Sequence, residues 1–493
     1  MSAPLSAPRY EETTDAQFRV LPAPAISTLL EGHIGKLRAF YQAAPTEPTK
    51  GGLFYRKLLA GYYRHLIPAD ASVLEIGCGG GHLLELLPNR DVVGIDISET
   101  QIRAARARVA HGEFQTMAGE DLALARRFDF VILSETLNFA ADVQQILERV
   151  HAVSHPRTRL LLNFHSGLWR PLLALASSIG LRAEHPPCNW LSSTDVRNML
   201  GLAGWEVLKQ QSRLLMAVPF FGLEKFINRF VAPIFSQLAL TVFQVARPIR
   251  QPMAAKTVSV IIPARNEAGN IEAAVRRTPP LGRHTEIIFV EGNSTDSTWM
   301  EIERVKNAYP DLDIKTMRQT GRGKGNAVRE AFEAATGEIL MILDADLTMP
   351  PEELPKFYDV LVSGRADFAN GVRLVYPMEG KAMRFCNFVA NKFFGLAFSW
   401  ALGQPVKDTL CGTKVLFKSD YQRIAANRAH FGDFDPFGDF DLLFGGNHLH
   451  LKIADIPIRY RDRTYGETNI QRWRHGMILL RMLLLAITRI KLV

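Results

Sequence analysis

Asp344 and Asp346, one residue apart, follow the apolar run Ile339-Leu340-Met341-Ile342-Leu343. Two carboxylates at that spacing can share a hard divalent cation, which neutralises a diphosphate as it becomes a leaving group. An Asp-x-Asp alone is common by chance, and here its weight comes from its neighbours. Val258 to Pro263 is a second apolar run and leads into Ala264-Arg265-Asn266-Glu267. Glu286 to Val290 is a third and leads into Glu291-Gly292-Asn293-Ser294-Thr295-Asp296. Polar residues therefore gather at the C-terminal ends of successive expected strands, where open α/β sheets bind ligands. Gly321-Arg322-Gly323-Lys324-Gly325-Asn326 has glycine after its lysine where a P-loop needs Ser or Thr, which excludes an NTPase.

A second glycine loop lies earlier. Val73-Leu74-Glu75-Ile76 reads as a buried strand, and Gly77-Cys78-Gly79-Gly80-Gly81 opens onto a helix near His82. Glycines there permit a tight turn and close backbone approach to a ligand at a helix N-terminus. A dinucleotide fingerprint would need glycine at 82, so NAD and FAD are disfavoured. Asp96 closes the next expected strand, and one carboxylate there suits a vicinal diol.

From about Leu66 to Phe164 this Glu-x-Gly-x-Gly-x-Gly pattern, with the acid at 96, resembles the class I S-adenosylmethionine-dependent methyltransferases. The resemblance implies that Glu75, Gly77, Gly79, Gly81 and Asp96 hold S-adenosylmethionine, with Asp96 on the ribose, and that Glu120 and Asp121 contact adenine. Methyl transfer from a sulfonium chiefly requires alignment of the acceptor, so it calls for no obligatory catalytic side chain. His165, after the strand Leu160 to Asn163, fits a general base, but an exposed loop residue is the preferred reading. The domain either methylates an unknown acceptor or only binds S-adenosylmethionine as a sensor.

From Thr257 to Trp473 the chain resembles the family 2 glycosyltransferases of the GT-A fold, and within them the dolichol (polyprenol) phosphate mannosyltransferases. Pro263 to Glu267, Asn293 to Asp296, Gly323 to Ala327 and Asp344 to Asp346 carry the likeness, with Asn370 to Arg373, Val406 to Gly412 and Arg463 to Asn469 downstream. It implies that Pro263, Arg265, Glu267, Glu291, Asp296, Lys324 and Asp344 bind the nucleotide-sugar, and that Asp344 and Asp346 hold Mg²⁺ or Mn²⁺. Reaction with inversion is implied likewise. Glu291 stands where the family usually has Asp, which leaves the base open between UDP and GDP. Thr468-Asn469 stands for a Ser-Lys pair, which weakens the match at the acceptor phosphate. A lipid phosphate is already anionic and needs positive charge to position it, for which Arg373, Arg384 and Arg463 are the candidates. A hydroxyl acceptor, on a glycan or glycolipid, would instead need a base, and Asp439 or Asp441 would supply it. Both acids also suit a helix cap, the reading preferred for Asp439.

The elements that must position these groups follow from the scale of the chain. At ~100 to 200 residues per domain, 493 residues make two or three domains. With 47% hydrophobic and 22% charged residues, neither global disorder nor a polytopic membrane bundle fits. The expected fold is two Rossmann-like α/β domains, an N-terminal class I methyltransferase fold and a C-terminal GT-A glycosyltransferase fold with a C-terminal amphipathic helix. The expected spans are an N-terminal extension (1–50), the methyltransferase-like domain (51–246), a linker (247–256), the glycosyltransferase domain (257–475) and the helix (476–493). Cys78, Cys188, Cys386 and Cys411 lack the paired spacing of zinc sites, and Met1 to Tyr10 lacks a signal pattern, which points to a reduced cytoplasmic setting.

Between Arg459 and Val493 eight basic residues face only Asp462 and Glu467, so most of the net charge of +8 sits in the tail. At about 100° per residue, Arg481, Thr488, Arg489 and Lys491 share one side of a helix. That suits peripheral attachment to a membrane surface, with the cations at anionic head groups, the alternative being a terminal helix packed on the protein's own core, and it gives the charge excess a purpose other than nucleic acid.

Overall fold

The computed structural model describes residues 28–178, 185, 186, 188, 189, 191–376, 385–428, 439–463, 465 and 472–492. Two seven-stranded sheets organise them. The first holds β1 (Val73–Ile76), β2 (Val92–Asp96), β3 (Glu113–Thr116), β4 (Phe130–Ser134), β5 (Arg159–His165), β6 (Trp205–Arg213) and β7 (Thr241–Pro248), in the order β3-β2-β1-β4-β5-β7-β6. Its first five strands are parallel, and β7 runs antiparallel to both neighbours. The second holds β8 (Thr257–Ala264), β9 (His284–Glu291), β10 (Asp313–Arg318), β11 (Ile339–Ile342), β12 (Phe368–Val372), β13 (Lys414–Phe417) and β14 (Ile453–Pro457), in the order β10-β9-β8-β11-β13-β12-β14. Only β13 there is antiparallel to its neighbours.

The apolar runs become strands because both faces of each sheet are covered. Along β8, Val258, Val260 and Ile262 enter one core while Ile261 enters the other, and Ile287 and Phe289 part from Ile288 and Val290 in the same way on β9. That alternation is the two-residue period of a strand buried on both sides. It also sends the polar residues that follow each run to one edge of the sheet.

The structure revises three expected spans. Helix Thr28–Ala43, expected in an extension, lies against the first domain, where Ser98 Oγ donates to Tyr41 O at 3.0 Å. β7 continues through Arg247 and Pro248, so the expected linker begins inside a strand. The terminal helix starts at Arg472, not 476. One of its faces packs on the second domain's core through Leu479, Met482, Leu483, Ala486 and Ile490, while Met477, Leu480, Leu484, Arg481 and Arg489 face outward. Lys491 leaves the expected cationic side: it is buried over the Trp400 ring at 5.0 Å, and burial lowers its pKa to about 8. Among the described residues no helix is long and apolar enough to cross a membrane.

A buried charge cluster joins the two sheets. Asp367, fully buried just before β12, takes Arg247 Nη1 at 2.7 Å, Arg250 Nη1 at 2.5 Å and Arg159 Nη2 at 3.5 Å. Arg159 and Arg247 are themselves buried members of β5 and β7. Beside them Lys209 Nζ donates to Asn447 Oδ1 at 3.0 Å and lies 2.9 Å from His450 Nδ1, while His450 Nε2 lies 2.7 Å from Leu66 O. Ile490 lines a small cleft there with Tyr62, Leu66 and Gln211.

Removing one partner of a buried ion cluster leaves uncompensated charge. Asp367→Ala is expected to destabilise the chain by ~3–5 kcal/mol, measured by urea denaturation. A loss under ~1 kcal/mol would mean that the guanidiniums are satisfied without it.

Candidate active sites

In the second sheet the parallel strands β8, β9 and β11 deliver the nominated residues to one edge. Asp344 Oδ1 takes Lys324 Nζ at 2.6 Å, and Lys324 begins helix Lys324–Ala334. Asp346 Oδ2 takes Arg463 Nη2 at 2.6 Å, and Arg463 Nη1 also reaches Glu267 Oε1 at 3.3 Å. Asp346 Oδ1 accepts from the backbone and hydroxyl of Thr348 at 3.1 and 2.8 Å. Burial works against the Asp344 carboxylate, but Lys324, with Lys414 and Arg373 behind it, holds its pKa below the ordinary value. Burial raises that of Glu267, against the opposing pull of Asn270 and Arg463. Gly412 is packed so closely that a Cβ there would overlap the Asp344 carboxylate and the Lys324 ammonium.

The loop after β9 is built by its own polar groups. Glu291, buried, accepts from the Ser294 amide, and Asn266 N donates to Ser294 Oγ at 3.0 Å. Asp296 Oδ1 accepts from Thr298 N at 3.0 Å, and Thr298 Oγ1 accepts from Glu267 N at 2.9 Å. Asn266 and Asn293 both have positive φ, so the loops after β8 and β9 turn sharply and meet. Pro263 is partly exposed at the end of β8, and Arg265 is exposed beyond it. Two hard oxygen donors on one turn fit Mg²⁺ or Mn²⁺. Among the described residues no group of three His, Cys, Asp or Glu side chains forms a complete metal site, so diphosphate and water oxygens would complete the shell.

Two further nominated groups are held by buried or partly buried partners. Arg373 is buried and forms a bidentate pair with Asp408 at 2.7 and 2.8 Å, so it fixes the 406–412 segment instead of presenting charge to an acceptor phosphate. Asp441 takes Arg428 Nε at 2.8 Å and Arg329 Nη2 at 3.3 Å, which suits a structural anchor better than a base. Helix Asp439–His448 begins at Asp439, whose side chain lies outside the described residues, as do Arg384 and Thr468-Asn469.

In the first sheet Gly77, Gly79 and Gly81 all have positive φ, and at Gly81 a Cβ would press on Ala105. Asp96 accepts from Gly79 N at 2.8 Å and Ser98 N at 2.9 Å, so it closes the glycine loop as well as facing it. Burial raises the Glu75 pKa to about 8, and its Oε2 is buried without a hydrogen-bond partner. An orphaned carboxylate oxygen beside a glycine turn fits a cationic cofactor such as S-adenosylmethionine. Glu120 is buried, and its Oε1 accepts from Ala141 N at 2.8 Å and Asp142 N at 3.2 Å. Of the pair only Asp121 is exposed.

His165 is buried, not an exposed loop residue: its Nε2 lies 2.9 Å from Glu135 Oε1 and 3.5 Å from the Tyr55 hydroxyl. Glu135, at the end of β4, has φ 61°, an uncommon backbone state for a glutamate. Burial opposes its charge, yet His165, Tyr55 and Arg56 outweigh burial and bring its pKa to about 2. Glu135, Tyr55 and Arg56 went unnoticed in the sequence because no motif marks them. The one available signal was an acid directly after a buried strand.

Residues 52–210 match the family model of the Methyltransferase domain, and residues 259–424 match that of Glycosyl transferase family 2. Dolichol-phosphate mannosyltransferase of Pyrococcus furiosus is 29% identical over 219 residues, 43% of this chain and 59% of that protein. Glycosyltransferase AglD of Haloferax volcanii is 27% identical over 231 residues, 45% of this chain and 36% of that protein. The chain thus spans less than two thirds of the length of either relative. A SAM-dependent methyltransferase of Thermotoga maritima aligns with a TM-score of 0.31 and 18% identity, over 40% of this chain and 91% of that one. The methyltransferase match falls on the first sheet and the family 2 glycosyltransferase match on the second.

A neutral Glu75 cannot attract a cationic ligand. S-adenosylmethionine is expected to bind more tightly, by calorimetry, as pH rises through about 8. Glu75→Gln should bind weakly with no such pH dependence, and equal slopes for the two proteins would remove Glu75 from the site.

Proposed function

We propose that the glycosyltransferase domain moves a sugar, with inversion, from a GDP- or UDP-sugar to a polyprenyl (dolichyl-type) phosphate or related lipid at the cytoplasmic face of a membrane. Its methyltransferase partner uses S-adenosylmethionine. The observation that carries the reading is the pairing of Asp344 with Lys324 and Asp346 with Arg463 at one edge of the second sheet. A divalent cation held by the two carboxylates would neutralise charge on the departing nucleoside diphosphate. Lys324 and Arg463 would then turn to phosphate oxygens, and Arg463 also orders Glu267 beside the donor pocket. A lipid phosphate needs no base to attack, which agrees with the double pairing of Asp441. The relative named for dolichol phosphate supports the same acceptor class. In the first domain the buried Glu135–His165 pair, with Tyr55 beside it at the sheet edge, supports methyl transfer over mere sensing.

The test is incubation of the full chain with labelled UDP- and GDP-sugars and polyprenyl phosphate. A lipid-extractable product that requires Mg²⁺ or Mn²⁺ is expected, and Asp344→Asn should lower its formation by at least ~100-fold. A water-soluble product, or full activity of the variant, would overturn the reading.

A further inference from the structure

Between β6 and β7 the chain leaves the first sheet and returns over residues 214–240. Arg213 and His165 both pair with Thr241, so the excursion lies at the edge where β5 ends. Because β1, β2 and β5 point the same way, the glycine loop, Asp96 and His165 share that edge. The stretch after β5, with helix Arg170–Ser178, lies there too and is tied to the excursion: Ser166 N donates to Leu240 O, and Trp169 Nε1 to Leu238 O, each at 2.8 Å.

These two stretches present an unusual surface. Of twenty-seven exposed large apolar side chains among the described residues, twelve lie between 168 and 175 or between 218 and 238. Phe221 is 101% exposed, Ile234 65%, Leu168 60% and Phe226 57%. The charges in both stretches have one outward sign. Arg170, Lys225 and Arg229 are exposed, while the one acid, Glu224, is buried and accepts from Phe220 N at 3.0 Å. Such a patch of large side chains marks an interaction site, and phenylalanines ringed by cations complement a layer that is apolar within and anionic at its surface.

We propose that this face of the methyltransferase domain docks on a lipid bilayer containing anionic lipid, which places the Glu135–His165 edge at the membrane surface. The inference is independent of the sugar-transfer reading and of helix Arg472–Ala486. The test is sedimentation of the full chain with phosphatidylcholine vesicles, with and without phosphatidylglycerol. The wild type should bind the mixed vesicles, and Phe221→Asp/Phe226→Asp/Ile234→Asp should bind at least ~10-fold more weakly with an unchanged melting temperature. Phe221→Asp alone, at a fully exposed position, should weaken binding in the same direction. Lys225→Glu/Arg229→Glu should abolish the preference for phosphatidylglycerol, and Leu480→Asp/Leu484→Asp on the terminal helix should leave binding by the insert in place. The proposal falls if the wild type binds neither vesicle, or if the triple variant binds as the wild type does. It falls equally if the wild type is a dimer that ignores vesicles and the triple variant is a monomer, since a second copy would then cover the face.

Discussion

Asp367 is one carboxylate answering three guanidiniums in a place closed to water, and the relation between the two sheets depends on it. Burial alone would raise its pKa, but Arg250, Arg247 and Arg159 hold it below the ordinary carboxylate value. A contact of this kind tolerates little displacement, because a guanidinium moved out of reach is left charged in a low dielectric. Arg247 also takes Glu206 at 2.7 Å and the carbonyl of Gly364 at 2.8 Å, so β6, β7 and the approach to β12 are pinned together. Buried ion pairs thus tie the two sheets together.

Both candidate sites store charge in the same manner. In the second domain each carboxylate of the Asp-x-Asp turn has a cation against it, Lys324 on Asp344 and Arg463 on Asp346, and Lys324 holds the Asp344 pKa below its ordinary value. In the first domain Glu135 is held anionic by His165, Tyr55 and Arg56, while Glu75, with less to oppose its burial, is raised to about 8. Two acids at one sheet edge thus take opposite protonation tendencies from their surroundings.

The sequence disclosed what lies on strands and their first turns. Glycines at 77, 79 and 81, the acid at 96 and the pair at 344 and 346 are legible because backbone conformation and spacing demand those residue types. Side-chain partners across the fold are not legible in the same way. Arg373 looks like a free cation until Asp408, 35 residues on, is seen beneath it. Nor does the sequence show that Glu120 takes the amides of 141 and 142. His165 shows the reverse error, since its partners Glu135 and Tyr55 lie on other elements. Of the expected linker 247–256, residues 249–256 have no regular structure, but Arg247 and Pro248 belong to β7, where Arg247 pairs with buried Asp367.

The terminal helix carries a consequence for how the protein is made. Its residue Ile490 closes a cleft against Tyr62, Leu66 and Gln211, and Lys491 lies near enough to Arg213 for their charges to repel. Domains generally fold in order as the chain emerges from the ribosome. The first domain therefore completes its sheet early but keeps part of its interface open until residue 490 has been synthesised. During that interval Lys209 and His450 lack their final cover. The helix is therefore placed to close this cleft only after both sheets have been made.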